Sequence, residues 1–408
     1  MTQPAPEVLF LAHRIPYPPD RGDRIRSWHL LRALAARAPV HCGCLIENTR
    51  ELAQVDPITA LTASHCYALR PPSLGWAGLS ALLTGRPVSQ TAFSSARLAR
   101  WVRQTLAERP IGTIFVFSGQ MAQFVPADFR GRVVMDFVDV DSAKFAAYAA
   151  AARTARVRAV HAREARLLSA FESRAAHRAD LSLLITAQER DLFASQLADP
   201  AGVNLAVLGN GIDAGYFSPD AVTPEPSLAG PGPYIVFTGQ MDYAPNIAAV
   251  TMFAHDVMPL IRARHAQAQF AIVGREPAAG ARALDGVNGT RVTGQVDDVR
   301  PWLAAADLVV APLLIARGVQ NKVLEAMAMA RPVLLTPAAA TGVVGEDGVH
   351  FAVEQGAGAL AARAIALLDD AAGATAMGAA ARALVIEKAG WDTVLAPLPA
   401  MMGWGVGD

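Results

Sequence analysis

The segment RGVQNKVLEAMAMARP, residues Arg317–Pro332, predicts a helix that follows a strand. The apolar run Leu308–Ala316 precedes it, and Gly318 supplies a flexible turn. Val319–Ala330 contains good helix formers without glycine or proline, and Pro332 ends the pattern. Strand, turn and helix in this order form the repeating unit of an α/β fold.

The start of this helix has the charges that a nucleoside diphosphate needs. Arg317 and Lys322 stand at the helix N-terminus, where the helix dipole favours an anion by about 0.3–1 kcal/mol. Glu325, the only acid in the segment, is suited to hold a ribose diol through charge-assisted hydrogen bonds. The alternative is an ordinary amphipathic helix with one exposed acid.

Composition indicates a globular, rather apolar protein. Of 408 residues, 52% are hydrophobic and 18% are charged, and the net charge is zero, which argues against general nucleic-acid binding. No run of about 18 apolar residues predicts a spanning helix, and no basic segment predicts a signal peptide. The three cysteines fit neither a disulfide framework nor a zinc site, so we expect a cytoplasmic protein.

The N-terminal region predicts a first strand–loop–helix unit. Glu7–Ala12 has the pattern of a buried strand, and His29–Ala38 that of a helix. The loop between them contains Gly22, which would let a phosphate approach the backbone, with Arg24 or Arg26 beside it. A charge-rich surface loop is the alternative.

Strands and helices alternate along the whole chain, which predicts two Rossmann-like, doubly wound α/β domains facing a cleft. We place the domains at residues 1–218 and 219–385, because Ser218–Pro233 is rich in glycine and proline. We expect residues 386–408 to pack back on the first domain. The further strands are predicted at Val40–Ile46, Ile111–Phe117, Arg132–Phe137, Leu181–Ile185, Leu205–Leu208, Tyr234–Thr238, Gln269–Val273, Arg291–Thr293, Leu308–Ala311, Pro332–Leu335 and His350–Val353.

One segment departs from the neutral average. Lys144–Arg178 contains one lysine and seven arginines against two glutamates, a local charge of 8 − 2 = +6. As a single helix it would place five arginines within an arc of about 80°. This pattern suits either peripheral contact with an anionic membrane, at the inner face, or a solvated helix pair.

Five motifs recur here in an order that resembles the family 4 glycosyltransferases of GT-B fold. They are VLGNGIDAGYFSP (Val207–Pro219), YIVFTGQMDYAPNIAAV (Tyr234–Val250), IVGREP (Ile272–Pro277), VTGQVDDVRPWLAAADLVVAP (Val292–Pro312) and GVQNKVLEAMAMARPVL (Gly318–Leu334). With PYPPDRGDRIRSWHLL at the front and MDFVDVDSAKF in the middle, the chain is most similar to the sugar transferases of exosortase and exopolysaccharide gene clusters.

This resemblance implies a retaining transferase that uses a nucleoside-diphosphate sugar as co-substrate, with no cofactor and no metal ion. The C-terminal domain would hold the donor, and the N-terminal domain a glycan or lipid-linked acceptor. Glu325 matches the second glutamate of the family's paired motif, which holds the ribose. The other implied donor-binding residues are Gly22, Arg24, Gly239, Gln240, Gly274, Arg275, Gln295 and Val296.

The chain departs from the family pattern at three places. The family's usual arginine and lysine after the first strand of the second domain are missing, and Gln240, Met241 and Pro245 occupy that region. Arg317 occupies the position of the first paired glutamate, so we expect Gly318, Gln320 and Asn321 to contact the sugar, and Lys322 or Arg317 to supply the phosphate charge. The histidine that many relatives carry in the N-terminal domain is replaced by Asp136 or Asp139. We assign Asp139 a catalytic role beside Lys322 and Glu325; a strand-end cap is the alternative.

Other classes of protein are weaker interpretations. A pyridoxal-dependent phosphorylase needs a Schiff-base lysine, and neither Lys322 nor Lys388 lies in a convincing motif. A nicotinamide dehydrogenase would show G-x-G-x-x-G after a strand, and in this chain no such motif follows a predicted strand. A nucleotide-sugar epimerase, or a donor-binding protein that has lost turnover, stays open.

Overall fold

The structure, a computed structural model, describes residues 6–71, 74–152, 154–316 and 319–404. The chain divides into two compact units: unit 1 comprises Met1–Gly209 and Leu395–Asp408, and unit 2 comprises Asn210–Val394. The division precedes the linker predicted at Ser218–Pro233, which lies inside unit 2. In unit 1, the Arg132 guanidinium donates to the Met401 carbonyl at 3.0 Å, which ties the C-terminal segment to this unit.

Unit 1 is built on a parallel sheet of seven strands in the order β3-β2-β1-β4-β5-β6-β7. Its central strands are apolar runs because helices cover both faces of such a sheet. The strands are β1 (Glu7–Ala12), β2 (Val40–Ile46), β3 (Ser64–Leu69), β4 (Ile111–Phe117), β5 (Arg132–Val138), β6 (Leu181–Leu184) and β7 (Leu205–Val207).

Helices connect these strands. They are α1 (Gly22–Ala35), α2 (Asp56–Leu61), α3 (Leu74–Thr84), α4 (Val88–Thr91), α5 (Ala96–Glu108), α6 (Asp141–Ala151), α7 (Ala155–Arg178) and α8 (Ala187–Gln196). Short 3₁₀ turns lie at Thr49–Gln54, Gly119–Phe124 and Pro200–Gly202.

Unit 2 repeats this architecture with a six-stranded parallel sheet in the order β10-β9-β8-β11-β12-β13. Its strands are β8 (Tyr234–Thr238), β9 (Gln269–Val273), β10 (Thr290–Gly294), β11 (Leu308–Ala311), β12 (Val333–Leu335) and β13 (Ala352–Val353). Its helices are α9 (Ala244–Met252), α10 (Met258–Arg264), α11 (Ala279–Arg282), α12 (Arg300–Ala304), α13 (Asn321–Ala328), α14 (Pro337–Ala340), α15 (Ala357–Asp369), α16 (Ala371–Lys388) and α17 (Trp391–Leu395).

The remaining elements are short. A π-helical turn, Phe253–Val257, joins α9 to α10, and 3₁₀ turns lie at Pro219–Ala221, Pro226–Leu228 and Val287–Gly289. Helix α18 (Leu398–Met401) lies in the C-terminal segment of unit 1. Among the described residues, no single helix is long and apolar enough to cross a bilayer; α15 and α16 pass that test only together, across a bend of 100°.

Each sheet has one switch point, where the strand order reverses. In unit 1 it lies between β1 and β4, and in unit 2 between β8 and β11. Loops after such a pair of strands turn to opposite faces and leave a crevice at the carboxyl ends, where α/β proteins bind ligands. The predicted helix α13 follows β11 directly, so its N-terminus opens at the switch point of unit 2.

The predicted α/β class with two doubly wound units is confirmed. Six strands have the predicted bounds, because continuous apolar runs between turn residues identify buried strands: β1, β2, β4, β8, β9 and β11. Strand β3 was not predicted, since this edge strand alternates buried and exposed residues around a histidine and a tyrosine.

Three helix predictions need correction. Helix α1 begins at Gly22 and not at His29, so Gly22 belongs to the helix and not to the loop. The apolar stretch Pro245–His265 predicts one helix, which the structure interrupts with the π-helical turn Phe253–Val257. Lys144–Arg178 forms two helices, α6 and α7, and not one. Four of the five arginines of the predicted arc, Arg156, Arg163, Arg174 and Arg178, lie on α7, and the fifth, Arg153, lies outside the described residues.

Candidate active site

The backbone ends of β8 and β9 touch at the carboxyl edge of the unit 2 sheet, beside the switch point between β8 and β11. The Gly239 amide donates to the Val273 carbonyl at 3.0 Å, and the Gly274 amide donates to the Gly294 carbonyl at 3.2 Å. A Cβ atom on Gly274 would lie 1.7 Å from the Gly239 carbonyl oxygen, so no side chain fits at position 274. The predicted residues Gly239 and Gly274 therefore form one glycine-lined floor.

Lys322 lies over this floor. Its ammonium group donates to Asn246 Oδ1 at 2.8 Å and stands 4.3 Å from the centroid of the Phe237 ring. A Cβ on Gly239 would come within 3.0 Å of Lys322 Nζ. The first turn of α13 thus delivers a half-buried cation to the end of β8.

A chain of hydrogen bonds connects Lys322 to Arg275. Asn246 Nδ2 donates to the Gln240 carbonyl at 2.8 Å. The Gln240 side-chain oxygen, in the orientation this network requires, accepts from Arg275 Nε and Nη2 at 3.0 and 2.8 Å. We call Gln240, Asn246, Arg275 and Lys322 the unit 2 cradle. Asn246 was missed by the sequence analysis, although a buried asparagine near the start of an apolar helix is a usable signal.

Glu325 lies one turn after Lys322 on α13 and is half-buried. Burial raises the pKa of Glu325 to about 7, although the positive charge of Lys322 opposes this shift. Burial likewise lowers the pKa of Lys322 to about 7, against the pull of Glu325. Both groups titrate near neutrality in the free protein because neither is fully solvated.

The residues before α13 frame the same crevice. Gln320 occupies the N-cap position, and Asn321 begins the helix. Asn321 Oδ1 accepts from Asn210 Nδ2 at 3.4 Å. The predicted residues Arg317 and Gly318 lie outside the described part of the chain.

Gln295 and Val296 follow β10, beside the end of β9. Gln295 is exposed, while Val296 packs against the core of unit 2. Their position at the carboxyl edge of the sheet agrees with the predicted location, and contact with a base stays a prediction.

In unit 1, Arg24 is already engaged by carboxylates. Its guanidinium forms an ion pair with Glu51 and lies 3.5 Å from Asp20. Gly22 begins α1, so it does not line a flexible phosphate loop. Phosphate binding by these two residues stays a prediction, and Arg24 would have to exchange a carboxylate for it.

The structure separates the two candidate aspartates of unit 1. Asp136 is buried and bonded to Arg26 through Nε at 2.8 Å. Asp139 is exposed, yet its carboxyl group is crowded by protein atoms. This desolvation, together with Glu189 and Asp141, raises the pKa of Asp139 to about 6. Of the two, only Asp139 presents a carboxylate that a substrate can reach.

His13 was not singled out by the sequence, although it follows β1 at the switch point of unit 1. Its ring lies 5.6 Å from the rings of both Phe93 and Phe117, and its Nε2 is 3.4 Å from Asp23. Burial lowers its pKa, so the ring is neutral near pH 7. A polar residue directly after the first strand is the signal that would have found it.

The described residues contain no cluster of three or more His, Cys, Asp or Glu residues that could hold a metal ion.

A comparison with protein-family models finds a similarity within unit 2. Residues 232–370 match the family model described as "Glycosyl transferases group 1". A comparison with curated protein sequences finds no match. The matched stretch lies within unit 2 and contains all four residues of the cradle.

Solved structures share the fold of the whole chain. Anabaena Alr3699/HepE in complex with UDP-glucose is 16% identical, with a TM-score of 0.67 over 97% of this chain and 99% of that one. Sucrose-phosphate synthase from Thermosynechococcus elongatus is 14% identical, with a TM-score of 0.67 over 97% and 98%. WaaG, a glycosyltransferase involved in lipopolysaccharide biosynthesis, is 16% identical, with a TM-score of 0.65 over 97% and 100%. The chain thus has the GT-B fold.

The shifted pKa of Glu325 predicts a pH-dependent stability. Between about pH 4.5 and about pH 7, folded Glu325 keeps a proton that the unfolded chain has lost, so the free energy of unfolding decreases as pH rises. Glu325→Gln should remove this decrease. The free energy of unfolding, measured with urea, should therefore differ between wild type and variant by an amount that changes between pH 4.5 and about pH 7. Exposed Glu387→Gln is the control, and a constant Glu325→Gln difference would contradict the assignment.

Proposed function

We propose that this chain transfers a glycosyl group from a nucleoside-diphosphate sugar to an acceptor hydroxyl, with retention of anomeric configuration and without a metal ion. The unit 2 cradle is the observation that carries the proposal. It gathers two cations and a glycine floor at the switch point, next to the N-terminus of α13.

The cradle suits the charge that develops in this reaction. As the glycosidic bond breaks, negative charge builds on the departing diphosphate while the sugar acquires oxocarbenium character. Lys322 and Arg275 strengthen their hold as that charge grows, which lowers the barrier. The glycine floor allows the phosphates to approach the backbone of Gly239 closely.

Glu325 completes donor binding in this proposal. Its carboxylate accepts hydrogen bonds from the two ribose hydroxyls, as its match to the second paired glutamate implies. The backbone after β10, at Gln295 and Val296, lies beside the base. Arg317, Gly318, Gln320 and Asn321 contact the donor sugar or its phosphates.

The comparisons support a nucleotide-sugar donor. The family model covers the unit that holds the cradle. HepE, which shares the fold, has been crystallised with UDP, with UDP and glucose, and with UDP-glucose. The nucleotide of the present chain is therefore sought first among uridine diphosphates.

Retention follows from front-face attack in our proposal. The leaving phosphate accepts the proton of the acceptor hydroxyl, so no carboxylate nucleophile below the sugar is required. Asp139 orients the acceptor hydroxyl or the sugar. Its pKa of about 6 keeps most of the carboxylate ionised at pH 7, as a hydrogen-bond acceptor must be.

The donor site predicts a selective effect of one cation. In isothermal titration, Lys322→Met should weaken nucleoside-diphosphate binding by roughly 10- to 150-fold, the value of a charged hydrogen bond of about 1.5–3 kcal/mol. The affinity for the nucleoside alone should not change. Lys388→Met, an exposed lysine in the same unit, is the matched control.

Three results would contradict this proposal. Equal loss with both lysine variants would show that Lys322 is not in the site. Diphosphate binding without sugar transfer would favour the donor-binding protein that has lost turnover. Where transfer occurs, activity in EDTA tests the independence from metal, and NMR of the product anomer tests retention. Sugar interconversion without an acceptor would favour the epimerase.

We further propose that the acceptor is a glycan or a lipid-linked glycan in exopolysaccharide assembly at the cytoplasmic face of a membrane. WaaG, which shares the fold, is described as involved in lipopolysaccharide biosynthesis. The first two turns of α7 are exposed and combine Arg156 and Arg158 with Val157 and Val160, which are 46% and 58% exposed. Leu82 and Leu83 on α3 are 70% and 79% exposed, and Arg163 of α7 donates to the adjacent Ala81 carbonyl at 3.0 Å.

This surface predicts binding to anionic vesicles. Each arginine near such a surface contributes about 1 kcal/mol, so R156Q/R158Q should reduce partition onto phosphatidylglycerol vesicles by roughly 30-fold in co-sedimentation. R32Q/R37Q, which removes two exposed arginines of α1 and its end, is the control. Equal binding of the two variants would contradict membrane contact through α7.

A further inference from the structure

The turn between β5 and α6 is strained. Val138 has a φ of +69°, which a β-branched residue rarely adopts. It is followed at once by Asp139, the exposed carboxylate assigned to the reaction. Such backbone conformations persist only where surrounding contacts hold them, and they cluster at functional sites.

Three hydrogen bonds hold this turn. The Val138 amide donates to Asp136 Oδ1 at 3.2 Å, and the Val138 carbonyl accepts from the Ile185 amide at 2.8 Å. The Asp139 amide donates to the Phe137 carbonyl at 2.9 Å. The side chain of Asp136 therefore acts directly on the strained residue.

Arg26 in turn fixes the Asp136 carboxylate. Its Nε donates to Oδ2 at 2.8 Å and its Nη2 to Oδ1 at 3.2 Å, with Arg26 1% and Asp136 0% exposed. Its Nη1 also donates to the carbonyl of Gly209, the last residue of unit 1 before the division, at 2.6 Å. A bidentate guanidinium with a third anchor has one orientation, so the carboxylate has one orientation too.

A second strained residue depends on the same aspartate. Ser118, after β4, has a φ of +78°, and its amide donates to the Asp136 carbonyl at 2.8 Å. The Ser118 hydroxyl bonds to Gln120, whose amide donates to Asp141 Oδ2 at 2.7 Å at the start of α6. The backbone of residue 136 thus links the two strained residues, while its side chain bonds only to the Val138 amide within the turn.

We propose that Arg26 and Asp136 are a positioning pair that holds the strained turn at Val138 and thereby presents the Asp139 carboxylate to the substrate. The inference rests on the role of Asp139 in the proposed function. A pair of buried charges is costly to keep and can be replaced by apolar residues without loss of folding in some proteins. Here the pair fixes the backbone next to the reacting group, because Asp136 accepts the hydrogen bond of the Val138 amide.

The test is a double-mutant cycle that combines removal of the Arg26–Asp136 pair with removal of the backbone strain at Val138. R26M/D136L removes both charges and the acceptor for the Val138 amide, and should lower kcat by about 10- to 100-fold, a misplacement effect, while donor KM stays constant. In a Val138→Gly background, where φ of +69° is unstrained, the same double change should lower kcat less than about threefold relative to V138G alone.

Two results overturn the proposal. One is a folded R26M/D136L protein with kcat within about twofold of wild type. The other is an equal loss in both backgrounds, because a merely structural pair would not depend on the strain at Val138.

If R26M/D136L does not fold, a second measurement with the single variant Asp136→Asn tests the proposal. Glu189 and Asp141 face Asp139 and raise its pKa, whereas Lys144 and Arg26 lower it. Asp136→Asn leaves the Arg26 charge uncompensated, so the pKa of Asp139 from a carboxyl NMR titration should fall. An unchanged titration would show that the pair does not act on Asp139. This readout needs no substrate, so it stands even if the chain transfers no sugar.

Discussion

The contact between the backbones of Gly239 and Gly274 is the constraint on which the proposed donor site depends. Only glycine at position 274 lets the ends of β8 and β9 approach so closely, since a Cβ there would lie 1.7 Å from the Gly239 carbonyl oxygen. The missing side chain of Gly239 in turn leaves room for the ammonium group of Lys322, because a Cβ there would lie 3.0 Å from Lys322 Nζ. The cradle is therefore a consequence of sheet geometry first and of side-chain chemistry second.

The charged groups of this site have no full-strength charge partner within the described part of the protein. Lys322 is held by a neutral amide and an aromatic face, while Glu325 is kept partly from water. Each group has a shifted pKa because its environment lacks full compensation for its charge. A diphosphate and a ribose would supply that compensation, so binding and ionisation are coupled here.

The sequence predicts the fold well because buried parallel strands are continuous apolar runs bounded by turns, as at Tyr234–Thr238 and Leu308–Ala311. It also predicts Gly239, Gly274 and Arg275 through the family resemblance and Lys322 through the charges at the start of its helix. The structure brings these four residues together, and their roles in binding stay predictions. It does not identify Asn246 or the Arg26–Asp136 pair. Asn246 contacts Lys322 across a sequence separation of 76 positions, and Arg26 contacts Asp136 across 110 positions. No local sequence pattern encodes such contacts.

Unit 1 shows the same limit in a different form. Asp136 and Asp139 are three residues apart in one motif, and their sequence surroundings do not distinguish them. The positive φ of Val138 turns the chain between them, so that one faces Arg26 in the core and the other faces solvent. Burial decides which carboxylate is available.

Proton uptake on donor binding tests the central claim most directly. At pH 8 free Lys322 is mostly neutral, because its pKa is about 7, and a bound diphosphate would restore its charge. Titration calorimetry of the diphosphate in buffers of different ionisation enthalpy should therefore show uptake of about one proton by the wild type and almost none by Lys322→Met. Binding without uptake, or equal uptake by the variant, would contradict the placement of the diphosphate against Lys322.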